Sequence, residues 1–336
     1  MNRIREMVLS QYTQMQQARK AQAEARARAI EEQIPEIAQI DHEIATLGIK
    51  SAAAMIKTGA DAQDCLKDMK EAVALLKERK NKLLEEHGVG EGYADLPYAC
   101  DTCRDTGMVD GVPCRCYRDK VKKLITETAS RLSGPAPDLE SQNFSKFDFR
   151  YFDANRTDAL LGITPLENMK SIYGVCKEFC DQFSRENKNL FLYGAPGTGK
   201  TFMTCCITKE LSDKGFAVLY QSAYKLFSFL EDLKFDRVDR SDGSLLKEAI
   251  YGCDLLVIDD FGTEYAGPFA QAAFFDLLNS RLMDKKSTVI SSNMGLSDIE
   301  KTYSGRVSSR IAGEFMLLRF AGEDIRCLKQ KERYNG

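Results

Sequence analysis

Eight consecutive residues, Gly194, Ala195, Pro196, Gly197, Thr198, Gly199, Lys200 and Thr201, constrain this chain more than any other stretch. They follow Asn189-Leu-Phe-Leu-Tyr193, a short apolar run of buried-strand character, and precede residues 202–212, whose pattern is helical. Strand, glycine-rich loop and helix in that order make a phosphate-binding P-loop. Its glycines let the backbone curl so that successive N–H groups point at phosphate oxygens, helped by the positive end of the helix dipole. Lys200 then reaches the β and γ phosphates of ATP, and the Thr201 hydroxyl ligates Mg²⁺.

About sixty residues further on, Cys253-Asp-Leu-Leu-Val-Ile-Asp-Asp-Phe-Gly262 ends a strand-like run on two carboxylates. Ligands of open α/β sheets bind outside the carboxyl ends of the strands, so Asp259 and Asp260 are expected at the phosphate edge. The pair resembles a Walker B motif, in which Asp259 holds Mg²⁺ through water and Asp260 orients or deprotonates the attacking water. The next run, Ser287-Thr-Val-Ile-Ser291, delivers Ser292 and Asn293 to the same edge. Arg306 and Arg310, four residues apart, share a helix face. Apolar runs at 190–193, 217–220, 255–258 and 288–291 alternate with helix-length segments, as in a parallel sheet with helices on both faces. The expected fold class is α/β.

These features together resemble the AAA+ class of P-loop ATPases. The resemblance implies that Asn293 is the sensor 1 residue, bridging lytic water and γ-phosphate. It implies that Arg310 or Arg306 acts as an arginine finger on a neighbouring subunit's site, which makes self-association part of catalysis. The class usually has Glu where this chain has Asp260, a shorter reach that points to slow, assembly-dependent hydrolysis. Only sixteen residues follow the last strand-like run, 315–320. The helical lid of the class is therefore expected to be absent or vestigial, which leaves Arg326 as the sensor 2 equivalent.

The preceding 150 residues are different in kind. Residues 1–87 hold one proline and many Ala, Gln, Glu, Lys and Arg, with apolar residues every three or four positions from Ile30 to Leu47 and from Leu66 to Leu83. An antiparallel helical hairpin turning at Gly48 or near residues 57–61 is expected, with Pro35 kinking or restarting the first helix. A dimerising coiled coil and a partner-docking module both fit that pattern. Next come Cys100-Asp-Thr-Cys103 and Cys114-Arg-Cys116, two knuckles flanking a glycine-containing span that can fold as a hairpin. Four thiolates so gathered make a closed, structural zinc site. Residues 132–138, with two prolines and a glycine, read as a linker. The expected divisions are a helical partner-binding region at 1–88, a zinc module at 89–131, a linker at 132–150 and the ATPase domain at 151–336.

Composition narrows the setting. Of 336 residues, 43% are hydrophobic and 29% charged, a globular balance. No stretch approaches the about 20 apolar residues of a membrane span, and the N-terminus lacks a signal-peptide core, so a cytoplasmic location is expected and no membrane partner. Net charge is −3, so nucleic-acid binding would need a local basic patch.

The motifs as a set resemble the DnaC/DnaI-type bacterial helicase loaders and the related IstB transposition ATPases, from Phe144 to Arg326. The matching stretches include 144–152, Asn168-Met-Lys170, the P-loop, Ile258-Asp-Asp-Phe-Gly-Thr-Glu264, Ser292-Asn293, Ser309-Arg310 and Gly322-Glu-Asp-Ile-Arg326. The cysteine pairs resemble those ahead of the ATPase in loader-like proteins of Gram-positive bacteria and their phages. The resemblance implies an ATP-bound loader that grips a hexameric, DnaB-like replicative helicase through its N-terminal region and touches single-stranded DNA through its ATPase domain. Residues 224–237 mix aromatics with Lys225, Lys234 and Arg237, a composition that suits single-stranded DNA and equally an ordinary amphipathic helix. A transposition helper ATPase and an ATP-gated adaptor of little turnover stand beside the loader reading.

Overall fold

A computed structural model describes residues 2–58, 62–90, 92–133, 138–264 and 267–335. Residues 59–61 of the turn expected at 57–61, and 134–137 of the linker expected at 132–138, lie outside the described residues. The chain divides into two compact units, one of residues 9–114 and one of residues 1–8 with 115–336.

In the first unit, α1 (Asn2–Gln33) stops where Pro35 begins α2 (Pro35–Thr58), and α3 (Ala62–Glu86) follows. Proline has no N–H to donate and clashes with the preceding turn, so it opens a helix but does not continue one. What periodicity reads as two helices is therefore three. α2 and α3 pack against each other around Ile34, Ile37 and Leu84, and Lys80 Nζ reaches Asp41 at 2.7 Å. Further on, β1 (Met108–Val109) and β2 (Val112–Pro113) form an antiparallel hairpin. Its two turn residues, Asp110 and Gly111, both have positive φ, 49° and 77°. That is the primed turn whose twist matches a hairpin, and Asp-Gly suits it. Gln16 of α1 donates to Asp105 O at 2.8 Å, and the Arg19 guanidinium lies 3.6 Å from the Tyr98 ring centroid.

The second unit opens with α4 (Arg115–Ser133), two 3-10 turns (Phe144–Lys146 and Phe149–Tyr151) and α5 (Pro165–Gln182). Thr164 and Glu167 form a capping box at the start of α5, with Pro165 at its first position. Then come β3 (Leu190–Gly194), α6 (Lys200–Asp213), β4 (Val218–Ser222), α7 (Ala223–Lys234), α8 (Arg240–Gly252) and β5 (Leu255–Phe261). The chain continues through α9 (Pro268–Met283), β6 (Ser287–Ser292), α10 (Leu296–Thr302), α11 (Gly305–Glu314), β7 (Met316–Phe320) and α12 (Ile325–Asn335).

The five longer strands form one parallel sheet in the order β4-β5-β6-β3-β7. Side chains alternate across it. Phe191, Leu219, Leu256, Ile258 and Ile290 enter one core; Leu190, Leu192, Val218, Leu255, Val257 and Val289 enter the other. Burial on both faces is why these strands read as continuous apolar runs. After β7 the chain continues into α12.

The units fall differently from the expected divisions, because residues 2–8 and α4 group with the sheet. Ile4 and Ile125 are buried in its core, and Glu248 of α8 accepts the backbone N–H groups of Arg3 and Ile4 at 3.2 and 3.1 Å. Those N–H groups begin α1 and have no partner within the helix, so the carboxylate serves as their cap. Periodicity shows that a helix has an apolar face but not what covers it.

Candidate nucleotide site

β3 runs into the P-loop and α6, and β6 lies between β3 and β5, so the ends of β3, β6 and β5 meet at one sheet edge. A cavity of about 360 Å³ opens there. Pro196, Gly197, Gly199, Lys200 and Thr201 of the loop line it, together with Asp260, Thr263 and Asn293 and with Arg326 and Lys329 of α12. Asn293 leaves the helix N-cap to Gly295 and remains exposed at the cavity.

Backbone geometry fixes the loop. Gly197 has φ +77°, and a Cβ on it would lie 2.0 Å from the Asp324 carboxylate, so only glycine fits. Gly197 O accepts from Ile325 N–H at 3.0 Å, which ties the first residue of α12 to the loop. The Thr198 hydroxyl donates to Ala195 O at 2.8 Å. The Lys200 ammonium, 5% exposed, donates to Gly194 O and Ala195 O, each at 2.8 Å. Burial lowers its pKa to about 8 against the pull of Asp260 and Asp259.

Asp259 is buried and held by hydroxyls. Tyr220 OH donates to it at 2.6 Å and Thr201 Oγ1 at 3.3 Å, and Ser291 Oγ donates to the same oxygen as Thr201. Parallel pairing explains Tyr220, since Ser222 pairs with Asp259 and Tyr220 lies two residues back on the same face. Asp260 turns the other way, at φ +55°, onto the cavity. Although solvent reaches it, the protein strips water from one side of its carboxyl. That desolvation, with the neighbouring Asp259, pushes its pKa up, while Lys200 and Arg326 pull it down.

An aromatic wall, which no single motif announces, completes the lining. Phe147 and Phe152 line the cavity, and Phe147 packs on Phe149, Tyr173 and Phe202 with centroids 5.0 to 5.7 Å apart. The aromatic density of residues 144–152 is its one signal in the sequence. Arg326 pairs with Asp324 at 2.9 Å. Arg306 and Arg310 do not line the cavity; they lie exposed on α11, with Arg310 4.0 Å from Glu314. Within residues 224–237, Phe227 and Phe229 are buried in the core, which takes them out of any binding surface, whereas Tyr224 and Phe235 are exposed.

The sulfurs of Cys100, Cys103, Cys114 and Cys116 lie within 4.8 Å of one another, with Cys100 and Cys114 3.9 Å apart. The edge of a tetrahedron with zinc–sulfur bonds of about 2.3 Å is about 3.8 Å, so the four thiols fit a zinc ion. The buried Asp105 carboxylate accepts the N–H groups of Ala99 and Cys100 at 3.1 and 2.9 Å and shapes the first knuckle. No other cluster of three or more such groups is found among the described residues, nor any helix long and apolar enough to cross a membrane.

Residues 177–311 match the family model described as IstB-like ATP binding protein. The replicative helicase loader DnaC of Escherichia coli K12 is 24% identical over 145 residues, which is 43% of this chain and 58% of that protein. The putative ATP-binding protein of insertion sequence IS21 from Pseudomonas aeruginosa is 28% identical over 157 residues, 45% of this chain and 57% of that protein. The chain thus spans little more than half the length of these relatives. A crystal structure of the DnaC helicase loader aligns over 55% of this chain and all of its own, with 21% identity and a TM-score of 0.45. With its P-loop, its carboxylate-tipped β5 and its strand order, the segment 177–311 is similar to the IstB-like ATP-binding proteins and, more distantly, to the DnaC helicase loader.

Proposed function

We propose that this chain is an ATP-dependent loader of a hexameric replicative helicase onto single-stranded DNA. The observation that carries the reading is the single cavity gathering Lys200, Thr201, Asp260, Asn293 and Arg326 at the sheet edge. In it the loop from Gly194 to Thr201 cradles the triphosphate and Lys200 neutralises its β and γ oxygens. The rings of Phe147 and Phe152 suit the flat face of a purine. Thr201 and Asp259 would hold Mg²⁺, which supplies charge neutralisation at the transferring phosphoryl group. Asp260 takes or orients the proton of the attacking water, with Asn293 placing that water. Arg326 stabilises charge from the same chain, and Arg310 or Arg306 from the next. The similarity to DnaC supports the helicase as partner, with the N-terminal helices as its grip.

The IstB-like family match favours a second reading, a transposition helper. One experiment separates them. Mixed with the replicative helicase of its source genome, the chain should co-elute with it in ATP and lose it in ADP, and single-stranded DNA should raise ATP turnover. Binding to a transposase with none to the helicase would overturn the loader reading. Turnover that stays negligible under every condition would leave an ATP-gated adaptor.

The cysteine cluster is proposed to hold structural zinc. Cys114→Ser should reduce bound zinc from about one ion per chain to near zero and raise amide exchange across residues 95–120, because metal binding and local folding are linked. Protein purified without chelators and carrying no zinc by elemental analysis would contradict this.

A further inference from the structure

We infer that Glu264 and Tyr303 are positioning residues that join the turn bearing Asp260 to the helix bearing Arg306 and Arg310, so that the nucleotide in the cavity sets the placement of that helix. The inference rests on the ATP-site reading above and adds a connection that neither the P-loop nor the Walker B motif contains.

The turn comes first. Thr263 lines the cavity, and its hydroxyl and N–H both donate to Asp260 O, at 2.8 and 3.3 Å. Gly262 N–H donates to Glu264 Oε2 at 3.0 Å. One carboxylate oxygen of Glu264 therefore closes the turn that presents Asp260. The other accepts the hydroxyl of Tyr303. Both partners are buried, Glu264 at 9% and Tyr303 at 1% exposure.

The far end is α11. Tyr303 ends α10, and the next residue, Ser304, caps α11 by accepting Val307 N–H. Ser308 of α11 donates to Leu296 O of α10, so the two helices are also joined directly. The Tyr303 ring stacks on Phe261 of β5 with centroids 4.4 Å apart and planes 23° apart. Phenylalanine would fill that space as well. A phenol and a carboxylate buried together are costly unless paired, and a pair of this kind specifies one relative placement of the segments it joins. The connection is continuous: Asp260, Thr263, Glu264, Tyr303, Ser304, α11.

The test is hydrogen exchange of the full chain with and without a non-hydrolysable ATP analogue and Mg²⁺. In the wild type, nucleotide should slow exchange in residues 197–203 and also in residues 303–314. In Tyr303→Phe, and independently in Glu264→Gln, the slowing at 197–203 should persist while that at 303–314 shrinks about fivefold or more. A wild type protected at 197–203 but unchanged at 303–314, or variants that keep the full effect, would overturn the inference alone. Absence of protection at 197–203 would instead remove the ATP-site reading, and this inference with it. A general loss of packing in a variant would raise exchange without nucleotide, a signature distinct from a lost nucleotide response.

Discussion

Lys200→Ala should abolish ATP binding at ordinary concentrations while the fold persists. The ammonium lies beside the cavity, held on loop carbonyls, and a charge-assisted hydrogen bond from it to a phosphate oxygen would contribute about 3 kcal/mol, a factor of about 10² in affinity. Turnover should fall at least as far. Equilibrium binding of a fluorescent ATP analogue and a circular dichroism melt check both halves; unchanged affinity would defeat the assignment. The pKa of about 8 adds a second signature. Binding a phosphate requires the charged lysine, so affinity should decline as pH rises above about 8, and Lys200→Arg should flatten that decline. Stability follows the opposite sign. Between about 8 and the ordinary lysine range the unfolded chain binds more protons than the folded one, so this residue's penalty on folding is full below pH 8 and lifts as pH rises.

Arg310→Ala should keep ATP affinity yet reduce assembly-dependent hydrolysis by about 10³, the effect of arginine fingers in general. The separation of the two quantities is what the geometry predicts, since Arg310 lies half-exposed on α11 and outside its own chain's cavity. Its ion pair with Glu314, 4.0 Å long and open to solvent, is worth little to the fold. A mixture of Arg310→Ala with Lys200→Ala should recover part of the activity, because one contributes an intact site and the other an intact finger. If Arg310→Ala alone hydrolyses like wild type where subunits assemble, Arg306 becomes the candidate.

What was legible in the sequence was whatever is encoded locally. The P-loop needs its glycines, lysine and threonine within eight residues, and the fold needs Asp259 and Asn293 at strand ends, so spacing was enough to bring them together. Tyr220 and Ser291 were not legible as partners of Asp259, because their meeting depends on which strands lie side by side. The aromatic wall needed the fold to carry residues 144–152 back to the loop, some fifty residues later in the chain. Residues 2–8 read only as part of a helical region, and nothing in their pattern shows that Ile4 belongs to the sheet's core. The four cysteines lay at the other extreme: two short spacings and a turn-forming Asp110-Gly111 described their hairpin almost completely.

The most direct test is an experimental structure with a non-hydrolysable ATP analogue and Mg²⁺. The account predicts the triphosphate on the backbone N–H groups of residues 197–201 with Lys200 at its β and γ oxygens, the metal between Thr201 and Asp259, and the base against Phe147 and Phe152. A nucleotide seated elsewhere on the chain, or one whose phosphates do not engage Lys200, would contradict it.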